Sequence, residues 1–160
     1  MAETRTLTLE RVFDAPVEKV WAAWTEAERI GKWWGPKGFT SSDNKIDLRV
    51  DGRNNLHMHA PAEFGGQDTY SGGKYKEIVS LKKIVVTDEF TDKDGKKVSP
   101  GIYGMPDDFP QSLVTVEFDA LPDGKTKLTV THAGLPAGEM SDQTSAGWNE
   151  SLDKLAESLR

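Results

Sequence analysis

Hydrophobic positions along this chain fall into two kinds of pattern. Helical spacing occurs near the start, in Val17, Val20, Trp21 and Trp24, and again at the finish, in Thr144, Trp148, Leu152, Leu155 and Leu159. Almost everything between these stripes is strand-like, with apolar and polar residues alternating at a period of two. A C-terminal helix with a continuous apolar face needs a surface to cover, and the only surface this chain offers is a large antiparallel sheet. A sheet curled around a helix leaves room for a cavity.

The first predicted strand is Thr4–Phe13, in which Leu7, Leu9 and Arg11 alternate with Thr6, Thr8, Glu10 and Val12. Asp14-Ala-Pro16 ends it, with Asp14 as a helix cap and Pro16 in the first turn. Thr25 to Glu28 has capping-box spacing, which predicts a second short helix that carries Ile30 and Trp33 inward before Trp34-Gly-Pro36 stops it. Six further strands are predicted at 39–48, 53–60, 69–79, 83–91, 113–120 and 126–133, separated by turn signals such as Val50-Asp-Gly52 and Leu121-Pro-Asp-Gly124. Residues 99–112 break the pattern with Pro100, Pro106 and Pro110 around Tyr103 and Phe109, and are expected to form a long loop that acts as a lid.

With 160 residues the chain suits one domain over 1–160, and a chain of this length buries roughly 70% of its unfolded surface. Its 26 acidic and 20 basic residues give a net charge of -6 and a pI near 5.1, which disfavours nucleic acid and anionic membranes as partners. No cysteine is present, so disulfides, zinc-thiolate sites and thiol catalysis are excluded. The opening MAETRTLTLERVF has neither the basic nor the apolar region of a signal peptide, and no run approaches the length of a membrane span. The expectation is a soluble cytoplasmic protein, a monomer or weak dimer.

Certain residues resemble a known family in order and spacing. These are Phe13-Asp-Ala-Pro16 with Val20-Trp21, Trp33-Trp34-Gly-Pro36 with Gly38-Phe39-Thr40, Asp47-Leu-Arg49, Gly73-Lys-Tyr75-Lys-Glu-Ile78, Thr126-Lys-Leu-Thr129 and Gly147-Trp148. The chain resembles bacterial proteins similar to the C-terminal domain of the activator of heat-shock-protein-90 ATPase. Those proteins belong to the START-like and Bet v allergen-like (polyketide cyclase and lipid transport) superfamily. The resemblance implies an α+β helix-grip fold, in which a seven-stranded antiparallel sheet wraps around a long C-terminal helix and two short helices follow the first strand. It implies a cavity but no particular reaction, since one scaffold carries many functions.

Where many relatives have paired glycines followed by Arg-Trp, this chain has Asp51-Gly52-Arg53-Asn54. Asn54 shares strand parity with Leu56 and Met58, so it either widens the cavity and adds a polar group or lies at a solvated strand end. His57 and His59 point to the opposite side, a solvated face by default, with no further ligand at metal-binding spacing. His132 shares a face with Val130 and Leu128, and is either an acid-base or anchoring group or a histidine bonded to backbone. Asp47 and Arg49 are expected to pair and fix the Asp51-Gly52 turn. Trp21, Trp24 and Trp148 have core packing as their first duty. Trp33 and Trp34 are adjacent, so only one can point fully inward, and they are expected at the cavity rim.

No Gly-x-Ser-x-Gly elbow, phosphate loop, His-Glu-x-x-His or dinucleotide fingerprint occurs. A catalyst that uses one or two general acid-base groups would leave no motif, which keeps Tyr70, Tyr75, Tyr103 and His132 as candidates for a cyclase or lyase. Three functions follow in order of preference. The first is binding of a small, largely apolar molecule such as a lipid, phenolic or polyketide-like compound, without cofactor or metal. Its expected ligand-binding residues are Trp33, Trp34, Asn54, Leu56, Met58, Tyr75, Tyr103, Phe118, His132 and Trp148. The second is a chaperone-interacting module, and the third is an enzyme acting on an aromatic or polyketide-like compound.

Overall fold

The computed structural model describes residues 4–106 and 109–160. Strand β1 (Thr4–Phe13) leads into helices α1 (Val17–Thr25) and α2 (Ala27–Ile30). Six more strands follow: β2 (Lys45–Ile46), β3 (Arg53–His59), β4 (Asp68–Val79), β5 (Lys83–Thr91), β6 (Ser112–Ala120) and β7 (Thr126–Pro136). The chain ends in α3 (Glu139–Ser158). The strands form one antiparallel sheet in the order β1-β7-β6-β5-β4-β3-β2. Only β1 lies out of sequence order, laid beside β7 at one edge. The fold is the expected α+β helix grip, with α3 packed across the concave face.

Alternation decides which side of each strand meets α3. Val114, Val116 and Phe118 on β6, and Leu128, Val130 and His132 on β7, are all buried. Leu152 and Leu155 on α3 are buried against that face, together with Trp148 and Leu159. Sealing one such leucine or valine contributes about 1.5–3 kcal/mol. The close approach of β4 to β5 depends on Gly73. A side chain there would collide with the Thr87 backbone carbonyl on β5, so only glycine lets β4 approach this closely. A register shift between Tyr75 and Glu77 adds a local bend in the same strand.

Three local expectations need correction. The predicted strand at 39–48 survives only as β2 and a single bridge between Thr40 and His59. Its polar middle bonds locally instead, with Asn44 Oδ1 accepting from Ser41 Oγ and from the His57 N–H. Asp14 does not cap α1, whose cap position is Pro16 with no side-chain bond. The capping box at Thr25 is also absent, because Thr25 Oγ1 donates back to the Trp21 carbonyl and Glu26 takes the cap position of α2. The 99–112 segment contains a short 3-10 turn at Pro100–Tyr103. Positions 107 and 108 of the expected lid lie outside the described residues. Among the described residues no helix is long and apolar enough to cross a membrane.

Candidate functional site

Sheet register brings particular side chains together beneath α3. Ile84, Val86, Asp88 and Phe90 share the inner face of β5, Asp88 lies opposite Ser112, Val86 opposite Val114, and Val114 opposite His132. Between this part of the sheet and Gly147, Trp148 and Ser151 of α3 is a pocket of about 340 Å³ with a mostly apolar surface. Trp24, Ile30 and Trp34 contribute from the helical segment, and Met105 and Phe109 from the loop before β6. That volume lies within the usual range for small-molecule sites, roughly 300–1,000 Å³.

A chain of hydrogen bonds crosses one wall. Trp148 Nε1 donates to His132 Nδ1 at 3.1 Å. An indole nitrogen can only donate, so His132 Nδ1 is an acceptor and the neutral ring carries its proton on Nε2. That N–H faces Ser112 Oγ at 2.8 Å, and the Ser112 hydroxyl in turn lies 3.5 Å from the Asp88 carbonyl oxygen. Burial pushes the His132 pKa down to about 4, which keeps the ring neutral near pH 7. Both ring nitrogens are occupied, and His132 is thereby a structural link between β6, β7 and α3.

Asp88 is the polar group in this wall that has not been spent. Its carboxyl lines the pocket and accepts no hydrogen bond from any described residue, while burial, then the nearby Glu89 charge, pushes its pKa up to about 7. Glu89 points elsewhere, towards Arg53 and Lys97 at 3.9 and 3.8 Å. Sequence reasoning passed over Asp88, although its parity with Ile84, Val86 and Phe90 was the signal that places it inward.

Of the expected ligand-binding residues, Trp34, Asn54, Leu56, Met58, Tyr75, His132 and Trp148 line the pocket. Asn54 faces inward with Leu56 and Met58, not at a solvated strand end, and its Oδ1 accepts from the Gly73 N–H at 3.0 Å. Tyr75 sits beside it with its pKa pushed up to about 12 by burial, partly opposed by the Asn54 amide. Trp33, Phe118 and Tyr103 lie outside the lining. Trp33 is fully buried and donates to the Ala23 carbonyl at 2.9 Å, so of the adjacent pair only Trp34 reaches the pocket. Phe118 is held between α1 and β6 by an edge contact with Trp21, with ring centres 5.0 Å apart. Tyr103 turns away to donate its hydroxyl to the Thr91 carbonyl and to pack on Phe90.

The second histidine cluster also differs from its expected form. His57 is buried, not solvated, because the segment 41–44 crosses over it and the Ser42 N–H donates to its Nδ1 at 3.1 Å. His57 Nε2 and His59 Nδ1 share Asp68 Oδ1, each at 2.8 Å, and these bonds hold the Asp68 carboxyl below the ordinary value. No group of three or more His, Cys, Asp or Glu side chains that could hold a metal occurs among the described residues. Tyr70 donates to Asp43 at 3.1 Å, away from the pocket. Arg49 pairs with Asp47 at 2.9 Å, as expected.

Solved structures share this architecture closely. A protein of Chromobacterium violaceum is 29% identical with a TM-score of 0.78, covering 96% of each chain. The AHSA1 protein of Silicibacter pomeroyi is 25% identical with a TM-score of 0.76, covering 97% of each chain. A protein of Nitrosomonas europaea is 25% identical with a TM-score of 0.73, covering 96% of this chain and 93% of its own. No curated protein is significantly similar to the chain. The family model described as Activator of Hsp90 ATPase homolog 1-like protein matches residues 14–160, and with that match over nearly its whole length the chain belongs to this family.

Proposed function

We propose that the protein binds a small, largely hydrophobic molecule between the sheet and α3. The observation that supports this most is the pocket of about 340 Å³ under Trp148, lined mostly by apolar side chains. Interiors are normally packed to crystal density with few voids larger than a water, so a space of this size needs an occupant or a purpose. Native mass spectrometry followed by denaturing mass spectrometry of the purified protein tests the reading. A stoichiometric organic molecule released on denaturation is expected. An empty protein with no thermal shift from lipids, phenolics or polyketide analogues, and no change on Met58→Trp, which narrows the pocket, would overturn it.

A chaperone-interacting module is the second reading, favoured by the family match over residues 14–160 and by Phe64, which is 63% exposed beside Phe39. A pull-down that recovers a chaperone with wild type but not with Phe64→Ser would favour it. The cyclase or lyase reading is weakened because His132, its strongest candidate base, has both nitrogens engaged, and because Tyr70 and Tyr103 point away from the pocket.

A further inference from the structure

We propose that the ligand is a hydrophobic amine whose ammonium group is held by the Asp88 carboxyl, and that carboxylate-bearing lipids are rejected. This rests on the reading of the pocket as a ligand site. Several polar groups around the pocket are already engaged. His132 and Ser112 bond each other, Asn54 Oδ1 accepts from Gly73, and Thr87 Oγ1 accepts from the Lys74 N–H at 2.9 Å. Gln143 is exposed and bonds Glu139. The indole N–H groups of Trp24 and Trp34 have no acceptor, but those atoms are sealed from any water-sized space and so are not offered to a ligand. Among the charged side chains of the lining, the Asp88 carboxyl is the one with no hydrogen-bond or ion-pair partner among the described residues.

Among the described residues no lysine or arginine lines the pocket, whereas the Asp88 carboxyl does, and Glu89 is turned towards Arg53 and Lys97. An anionic headgroup would meet a like-charged carboxyl with no cation to offset it, and desolvating two such charges together is strongly unfavourable. An ammonium group reverses the balance: it supplies the missing countercharge and its N–H bonds fill the empty acceptor sites of Asp88. Aromatic faces add to the attraction. Phe90 lies two residues along the same face of β5, its ring centre 5.4 Å from that of Phe109, and both rings border the pocket with Trp148. The net charge of -6 favours approach of a cation in the same direction.

Three naphthalene probes that differ only at the tip of a two-carbon or one-carbon arm test the idea: 2-(1-naphthyl)ethylamine, 2-(1-naphthyl)ethanol and 1-naphthylacetate. Their affinities are measured by tryptophan fluorescence and calorimetry on the full chain near neutral pH. The amine is expected to bind at least about tenfold more tightly than the alcohol, the increment of one charge-assisted hydrogen bond, and the acetate more weakly than either. In Asp88→Asn the amine-to-alcohol ratio is expected to fall below about threefold, within the range of a neutral contact. Equal or tighter binding of the acetate, or an unchanged ratio in Asp88→Asn, would overturn the amine assignment while leaving the pocket as a binding site. Binding by none of the three probes would overturn both readings together.

Discussion

The ammonium of Lys154 on α3 donates to the carbonyl oxygen of Phe39 at 2.9 Å. The same group lies 3.0 Å from the Gly35 carbonyl and 3.3 Å from that of Pro36. One charged side chain therefore ties the 34–39 loop, which carries Trp34 into the pocket lining, to the C-terminal helix. Burial pushes the Lys154 pKa down, as expected for an ammonium solvated by carbonyl dipoles in place of water. Replacing it with methionine keeps the stem but leaves the carbonyls without their donor. Lys154→Met is expected to lower the unfolding free energy by about 2 kcal/mol in a urea titration. Wild-type stability in that variant would mean that water takes over the donor role at no cost.

Asp88 and His132 impose opposite pH dependences on stability. Asp88 has its pKa raised in the folded state to about 7 from an ordinary 3.8, mainly by burial and secondarily by Glu89. Its stabilising effect is therefore full below about pH 3.8 and is lost as pH rises through about 7. His132 has its pKa lowered from 6.5 to about 4 by burial, so its contribution is full above pH 6.5 and is lost as pH falls towards 4. Across the shared window the two slopes offset one another. Asp88→Asn removes one of them. The variant is expected to be more stable than wild type by about 2 kcal/mol above neutral pH, allowing for the solvent that the pocket admits, and this advantage should shrink steadily towards pH 4.5. Denaturant titrations of both proteins across that range measure it, and a constant difference would mean that the Asp88 carboxyl is ionised throughout.

How far the sequence carries depends on what buries each residue. Strands β1 and β5 lie where alternation puts them, at Thr4–Phe13 and Lys83–Thr91, because each buries one face against a single surface. His57 was legible only as an outward residue, since parity describes the sheet and not the 41–44 segment that folds back across it. Phe118 shares parity with Val114 and Val116, yet it lies further along β6 under Trp21, outside the pocket. Parity gives the face but not the position along the strand. For Asp88 the information was present in the alternation and was obscured by its charge, which ordinarily marks a solvated position.

The adjacent tryptophans supply a test in which the two substitutions are chemically identical. Trp33 is fully buried and donates its indole N–H to the Ala23 carbonyl at the end of α1. The indole N–H of Trp34 is also buried but meets no acceptor among the described residues, a group whose desolvation costs about 1–3 kcal/mol without return. Changing either residue to phenylalanine removes a ring's worth of packing. In Trp33→Phe a hydrogen bond is lost as well, whereas in Trp34→Phe an unpaired donor disappears and offsets part of the lost contact. Trp33→Phe is therefore expected to be less stable than Trp34→Phe by about 2 kcal/mol in matched denaturant titrations. Equal losses would indicate that the Trp34 N–H has an acceptor in solution, so that its removal relieves no unpaired donor.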